Sequence, residues 1–242
     1  MQPRRSEFLP DPSLSRAEME SLQRAIAAEA IFPEKSPTAL SEESLTVAGV
    51  DQAFTDDRAT SAVVLLQDGS EIERVHASAP TEIPYIPGLL SFREGGSILA
   101  AFEKLDREPD VVLFDGSGRI HFREAGLATH IGVVLDLPAV GVTKRLLCGD
   151  PAESLAEPLS VGTRVPILAN EDVTAPDGTT IGFAVQTRQY DTGDRSINPL
   201  YVSPGHRVSA ETAASLVQGA CAGYKLPEPI RRADRYVGEL TA

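Results

Sequence analysis

The chain has 242 residues, of which 42% are apolar, and its 35 acidic against 22 basic side chains leave a formal net charge of −13. That length suffices for one α/β domain with a core of its own. Two cysteines, Cys148 and Cys221, exclude a disulfide framework and a paired-cysteine zinc site, and no apolar run approaches the roughly 20 residues of a membrane helix. With no apolar leader behind Arg4 and Arg5, the cytoplasm is the expected location. An acidic balance is unusual for a protein that neutralises phosphates. Lysine is scarce, at Lys35, Lys104, Lys144 and Lys225 alone, while acid and arginine are plentiful, a balance suited to a salt-rich cytoplasm.

In chain order, residues 1–14 hold three prolines and mixed charge and read as a tail or an arm laid on the surface. Ser15-Arg16-Ala17-Glu18 has capping-box spacing, and Leu22, Ile26, Ala27 and Ala30 continue a helix that stops before Pro33. The period then changes. Leu45–Asp51, Ser61–Leu66 and Ile72–Ala77 read as strands, the last two joined at Asp68-Gly69. Pro84–Gly88 is too broken by proline for either regular structure, and Glu94–Leu105 is helical with Ile98, Leu99 and Phe102 on one face. Val111–Asp115 is a strand buried on both faces, followed by a helix over Arg123–Asp136 and a second buried strand at Ala139–Val142. This strand–helix–strand unit is expected to be parallel and right-handed. Thr163–Leu168 and Thr180–Thr187 form a peripheral hairpin, Leu200–Ser203 a short strand, Ser209–Ala222 a helix and 225–242 a charged C-terminal helix.

Three antiparallel strands followed by parallel strand–helix units, flanked by helices, is the element order of a ribonuclease H-like mixed α/β sheet, and one such domain spans 1–242. In that arrangement the first strand lies beside the fourth, about 4.8 Å away, so Asp51 and Asp115 can share a divalent cation. Asp51, Glu94 and Asp115 each fall at the end or start of an element; among 35 acidic residues such coincidences are unremarkable, and composition and spacing alone read them as solvated carboxylates and helix caps before a metal site. Gly116-Ser117-Gly118 lacks the third glycine of a dinucleotide fingerprint, where His121 stands, and no P-loop lysine follows. The two glycines instead permit close backbone approach to a flat ligand, with free N–H groups. His121 stands in a loop beside Asp115, His206 in a loop after a short strand; His130 suits a core or capping role and His76 an exposed strand position.

Val47–Gln52, the long block Pro84–Glu94, Phe114–His121, Gly126–Gly132, Gly141–Lys144 and Ser203–His206 resemble, in order, the successive blocks of the endonuclease V family. The resemblance covers roughly Leu45 to Ala222, and Pro-Tyr-Ile-Pro-Gly is its most specific element. It implies a metal-dependent DNA repair endonuclease that leaves the damaged base in place and nicks the second phosphodiester 3′ to deoxyinosine, giving a 3′-hydroxyl and a 5′-phosphate. Carried over, Asp51, Glu94 and Asp115 resemble the family's acidic site for Mg2+, which Mn2+ can replace. His206 is expected beside it, to orient water or protonate the leaving group, and Lys144 resembles the active-site lysine. Tyr85 belongs to the wedge motif with Ile86 and Pro87. Gly88, Leu90, Gly116 and Gly126 match positions around the flipped base, with His121 in the adjoining loop.

Two departures stand out: Phe122-Arg123 follows His121 where the family usually has Pro-Arg, and Thr143 stands where alanine is common. Without the resemblance, Pro84–Pro87 is a rigid loop. Deoxyinosine-containing DNA is the implied partner, with inosine-containing RNA as the alternative substrate; no membrane and no obligate protein partner is expected. Two further readings are a metal nuclease without base specificity and a noncatalytic nucleic-acid-binding module, whose signature would be loss of the acidic triad.

Overall fold

The elements follow one another as α1 (Arg16–Glu29), β1 (Thr46–Thr55), β2 (Arg58–Gln67), β3 (Ser70–Pro80), α2 (Leu90–Phe102), β4 (Val111–Asp115), α3 (Leu127–Leu135) and β5 (Ala139–Thr143). Then come β6 (Asp150–Pro151), β7 (Arg164–Leu168), β8 (Thr180–Val185), β9 (Leu200–His206), α4 (Ala210–Gly219) and α5 (Glu228–Thr241). The computed structural model describes residues 1–37, 40, 44–190 and 196–241, so Ala242 of the expected C-terminal segment lies outside them. All nine strands join one sheet in the order β3-β2-β1-β4-β5-β9-β8-β7-β6. The β1–β4 and β4–β5 pairings are parallel and the β1–β2 and β2–β3 pairings antiparallel, the mixed topology expected from the element order.

Local chemistry accounts for most of these boundaries. Ser15 and Glu18 close a capping box at α1, and Asp68 and Gly69 both take positive φ in the β2–β3 turn, as a tight hairpin requires. Pairing overrode the expected strand ends: β1 runs to Thr55 because it matches β2 residue for residue from Thr46↔Gln67 to Thr55↔Arg58. Asp51 is therefore inside a strand, not at its end. Helix α2 begins at Leu90, which puts Glu94 in its second turn, and α3 begins only after Gly126 because Glu124 has φ 52°. Strand β9 extends through Pro204 to His206. A register shift opposite Ala139 and Val140 leaves Gly205 out of the ladder, the kind of irregularity that tolerates a proline inside a sheet. The β7–β8 hairpin is continuous with the sheet through β8–β9.

Helices cover both faces. Val50 and Phe114 pack with Ile98, Phe102 and Ile131 on the α2–α3 side, and Leu113, Val142, Val217 and Ile230 pack on the α4–α5 side. Residues 1–14 lie as an arm against the first of these layers. Phe8 is buried, the Arg4 and Arg5 amides donate to Val134 O, and Pro10 meets Gly95. Both cysteines are free thiols, Cys148 buried. His76 is half-buried, its Nδ1 2.8 Å from the Tyr236 hydroxyl, because α5 covers that part of the sheet. Among the described residues no helix is long and apolar enough to cross a membrane.

Candidate active site

The parallel register pairs Val50 with Phe114, so Asp51 and Asp115 are the next residues of two adjacent strands. Because Val50 and Phe114 face the α2–α3 core, the pleat turns both carboxylates the other way, toward the face that carries α5. Strand β4 ends at Asp115 while β1 continues, and the carboxylates stand where the two diverge. Asp51 and Glu94 are buried, at 9% and 4% exposure. Burial first, and then the negative charge of Asp115, holds the Asp51 carboxyl well above the ordinary carboxylate range. Glu94 is pushed up to about 8 by burial and by Asp51, with Arg93 opposing. Lys144, just past β5, places Nζ 3.2 Å from Asp115 Oδ2. Burial pulls its pKa down, but Asp115, with Asp51 and Asp234, outweighs that and the net shift is upward.

Sequence reasoning missed one member of this cluster. Asp234, on α5, lies beside Asp51, within reach of a hydrogen bond when one of the two carboxyls is protonated. Nothing near Ala233-Asp234-Arg235 marks it as a motif. Its only signal is its position flanking the buried stripe Ile230, Ala233 and Val237 of an otherwise charged helix. Gly49 lets α5 come this close: a Cβ there would strike the backbone of Pro229 and Ile230.

Beside the carboxylates is a cavity of about 360 Å³, within the range of small-molecule pockets. Gly88, Leu90, Gly116, His121, Gly126 and Asp115 all line it, with Tyr85 at its edge, 65% exposed. Gly88 has φ +81°, a conformation that favours glycine. At Gly126 a Cβ would collide with Ser117 O, and at Gly116 it would press on Leu127, so these glycines bring the 116–118 loop against the start of α3. Their amides are not free, contrary to expectation: Gly116 N–H donates to Phe114 O and Val142 O, and Gly118 N–H to Ser203 Oγ. Folding the loop over β5 consumes those donors. Ile86 turns away to pack with Met19, Leu89 and Phe92, and exposed Pro87 is outside the cavity lining.

His121 is 2% exposed and held down to about 4 by burial. Its Nδ1 accepts from Arg123 N–H, so Nε2 carries the proton and donates to Gly88 O at 3.0 Å. His130 is a buried core residue, bridging Ser91 Oγ and Phe8 O.

His206 does not stand beside the carboxylates. It pairs with Ala139 at the start of β5, whereas Asp115 pairs with Val142 near that strand's end, about 10 Å along the sheet. There Nδ1 accepts from Ile31 N–H and Nε2 donates to Asp136, which Arg207 also grips. The short-strand reading put His206 in a loop; the longer, irregular β9 carries it to the opposite end of β5, where its ring links Ile31 to Asp136.

Among the described residues no three His, Cys, Asp or Glu side chains close into a ready metal cage. The donor set nevertheless fits a hard divalent cation: it is all oxygen, it comes from separate elements, and its two buried carboxyls are raised first by burial and then by the neighbouring carboxylates, a cost that a bound cation would offset.

Residues 30–235 match the family model described as Endonuclease V. A protein of Haloarcula marismortui named Endonuclease V is 61% identical, the match covering 99% of this chain and 97% of that one. The crystal structure of Endonuclease V from Streptomyces avermitilis superposes with a TM-score of 0.78 at 30% identity, covering 96% of this chain and 94% of that one. The fold is also that of Ciona intestinalis Endonuclease V, solved in complex with a 24mer DNA containing an inosine followed by a ribo-adenosine. That match has a TM-score of 0.75 and 24% identity over 93% of this chain and 96% of the other.

Proposed function

This chain belongs to the endonuclease V family, and on that premise we propose that it is a DNA repair endonuclease nicking the second phosphodiester 3′ to deoxyinosine, to leave a 3′-hydroxyl and a 5′-phosphate. The observation that carries the reading is that Asp115 belongs both to the carboxylate cluster and to the wall of the cavity. A base held in that cavity brings its own strand to the carboxylates. The cytoplasm is the proposed compartment, and DNA containing deoxyinosine the partner.

Asp51, Asp115 and Glu94, with Asp234 alongside, would hold Mg2+ or Mn2+, which supplies charge neutralisation at the phosphate and an acidified water. Lys144 is a compact cation at the edge of the cluster, placed to steady the attacking water or the charge that builds on the phosphoryl oxygens. Tyr85, exposed on a proline-stiffened loop, fills the gap left in the stack when the base leaves it. Flipping costs a few kcal/mol, less at a mispaired base such as inosine, which is one source of selectivity. The cavity wall of backbone segments and His121 then receives the base. His206 takes no part in this chemistry.

The test is incubation of end-labelled duplexes carrying one inosine with Mg2+ or Mn2+, followed by mapping of the cut. A nick one nucleotide beyond the lesion is expected. Base release, or equal cutting of unmodified strands, would overturn the reading, and matching RNA strands measure which sugar is preferred. Asp115→Asn should lower the nicking rate by at least about a thousandfold while leaving DNA affinity within a few-fold, a loss of the size seen when a charge-stabilising group is removed.

A further inference from the structure

Gln23 is a buried polar residue, 1% exposed, on a helix outside the 30–235 span that matches the family model, yet it lines the same cavity as Gly88, His121 and Ala125. Its amide is fully committed. Nε2 donates to Gly88 O at 2.8 Å and to Ala125 O at 3.3 Å, and Oε1 accepts from Arg123 Nε at 2.7 Å. The opposite amide orientation would set donor against donor at Arg123 and acceptor against two carbonyls, so the orientation is determined by its partners.

Gly88 O thus receives Gln23 Nε2–H and also His121 Nε2–H at 3.0 Å. Arg123 Nη2–H also reaches Gly88 O, at 3.5 Å; a carbonyl oxygen has two lone pairs, and here both are taken. Ala125 O is engaged as well. We propose that Gln23 is a positioning residue for base discrimination: with His121 it saturates the Gly88 carbonyl and so removes an acceptor from the cavity wall. Guanine differs from hypoxanthine by a 2-amino group and adenine carries a 6-amino group. Each is a donor that must find an acceptor, or lose the hydrogen bonds it made to water. Hypoxanthine bears neither group. An amino group brought against the capped Gly88 and Ala125 carbonyls therefore finds no acceptor there, whereas the deaminated purine presents no such group to them, and α1 is part of the recognition apparatus as well as of the core.

The inference rests on the proposed inosine-directed nicking. Single-turnover nicking is measured for duplexes with inosine, guanosine or adenosine at one position, using the wild type, Gln23→Met and Gln23→Glu. Both variants remove the Gln23 donor to Gly88 O and Ala125 O, and the second keeps an acceptor for Arg123. The expected result is that the inosine-to-guanosine or inosine-to-adenosine rate ratio falls about tenfold, since Ala125 O loses the donor that caps it and Gly88 O loses its shortest one. A merely structural role would lower all rates together and leave both ratios unchanged, and that outcome overturns the inference. If neither variant folds, as judged by circular dichroism, the wild type decides: strands carrying unsubstituted purine should be nicked about tenfold faster than strands carrying 2-aminopurine or adenine, and equal rates overturn it. Failure of the wild type to nick any inosine strand would instead remove the proposed function.

Discussion

Two histidines that serve the cavity and its supports, His121 and His130, are each brought down from 6.5 to about 4 by burial. Between those values the unfolded chain binds more protons than the folded one. Their contribution to stability is therefore complete above about pH 6.5 and is lost as the pH falls to about 4, on the order of 3 kcal/mol each. Glu94 has the opposite sign. Its folded pKa of about 8 lies above the unfolded 4.5, so without a cation its burial favours the fold at low pH, and that advantage disappears as the pH rises through this window. Comparison of variants separates the two effects. His130→Gln can keep a donor for Phe8 O and an acceptor for Ser91, and the stability difference between wild type and variant, from urea unfolding, should shrink by about 3 kcal/mol between pH 7 and pH 4. Tyr85 shows the contrary case of a residue with no structural duty. Tyr85→Ala should leave stability within about 0.5 kcal/mol, because the ring is mostly in water. The same change should slow nicking of duplex inosine about tenfold, and of single-stranded inosine far less, since only the duplex has a stack to fill.

At the level of elements, α5 has two tasks that a single close approach makes compatible. Ile230, Ala233 and Val237 bury its apolar stripe on the sheet, and the same docking delivers Asp234 to Asp51. Gly49→Ala would push the added methyl into the Pro229 backbone, which cannot swing aside as a side chain can. The expected cost is about 3 kcal/mol in urea unfolding, as for overpacking. Nicking should fall more than the folded fraction does, because α5 and its carboxylate shift together. The glycine-rich 116–118 loop shows the same principle: Gly141 in β5 lies directly beneath it, and its bare Cα leaves the space the loop occupies.

Over the whole molecule, the charge of −13 sets conditions rather than architecture. Much of the arginine is engaged in ion pairs such as Arg4–Glu108, Arg119–Glu124 and Arg207–Asp136. The remaining acidic excess repels itself across the surface. Salt screens that repulsion, with a Debye length of about 10 Å at 0.1 M and about 3 Å at 1 M. Melting temperature is expected to rise by several degrees between 0.1 and 2 M KCl, measured by circular dichroism; a fall would show that specific ion pairs outweigh the net repulsion.

Legibility differed between elements for identifiable reasons. Signals that act within a few residues were readable along the chain: the capping box at Ser15, the Asp68-Gly69 turn, the two buried strands 111–115 and 139–142, and hence the adjacency of β1 and β4 that puts Asp51 beside Asp115. The extent and register of pairing were not readable, and they lengthened β1 and β9, moved Asp51 inside its strand and carried His206 to the opposite end of β5. Asp234 and Gln23 were invisible for the same reason. A carboxylate beside an apolar stripe, or a glutamine between Met19 and Ile26, has no local signature, and only the docking of α5 on Gly49 and of α1 against Gly88 decides what each one touches. The sequence by itself determined the order of elements, the acidic and glycine-bearing turns and the net charge, because those depend on neighbours along the chain. The tertiary structure alone decided that Asp234 joins the carboxylates, which amides remain free and which carbonyls are capped, because burial and hydrogen-bond saturation belong to surfaces that exist only once the chain has folded.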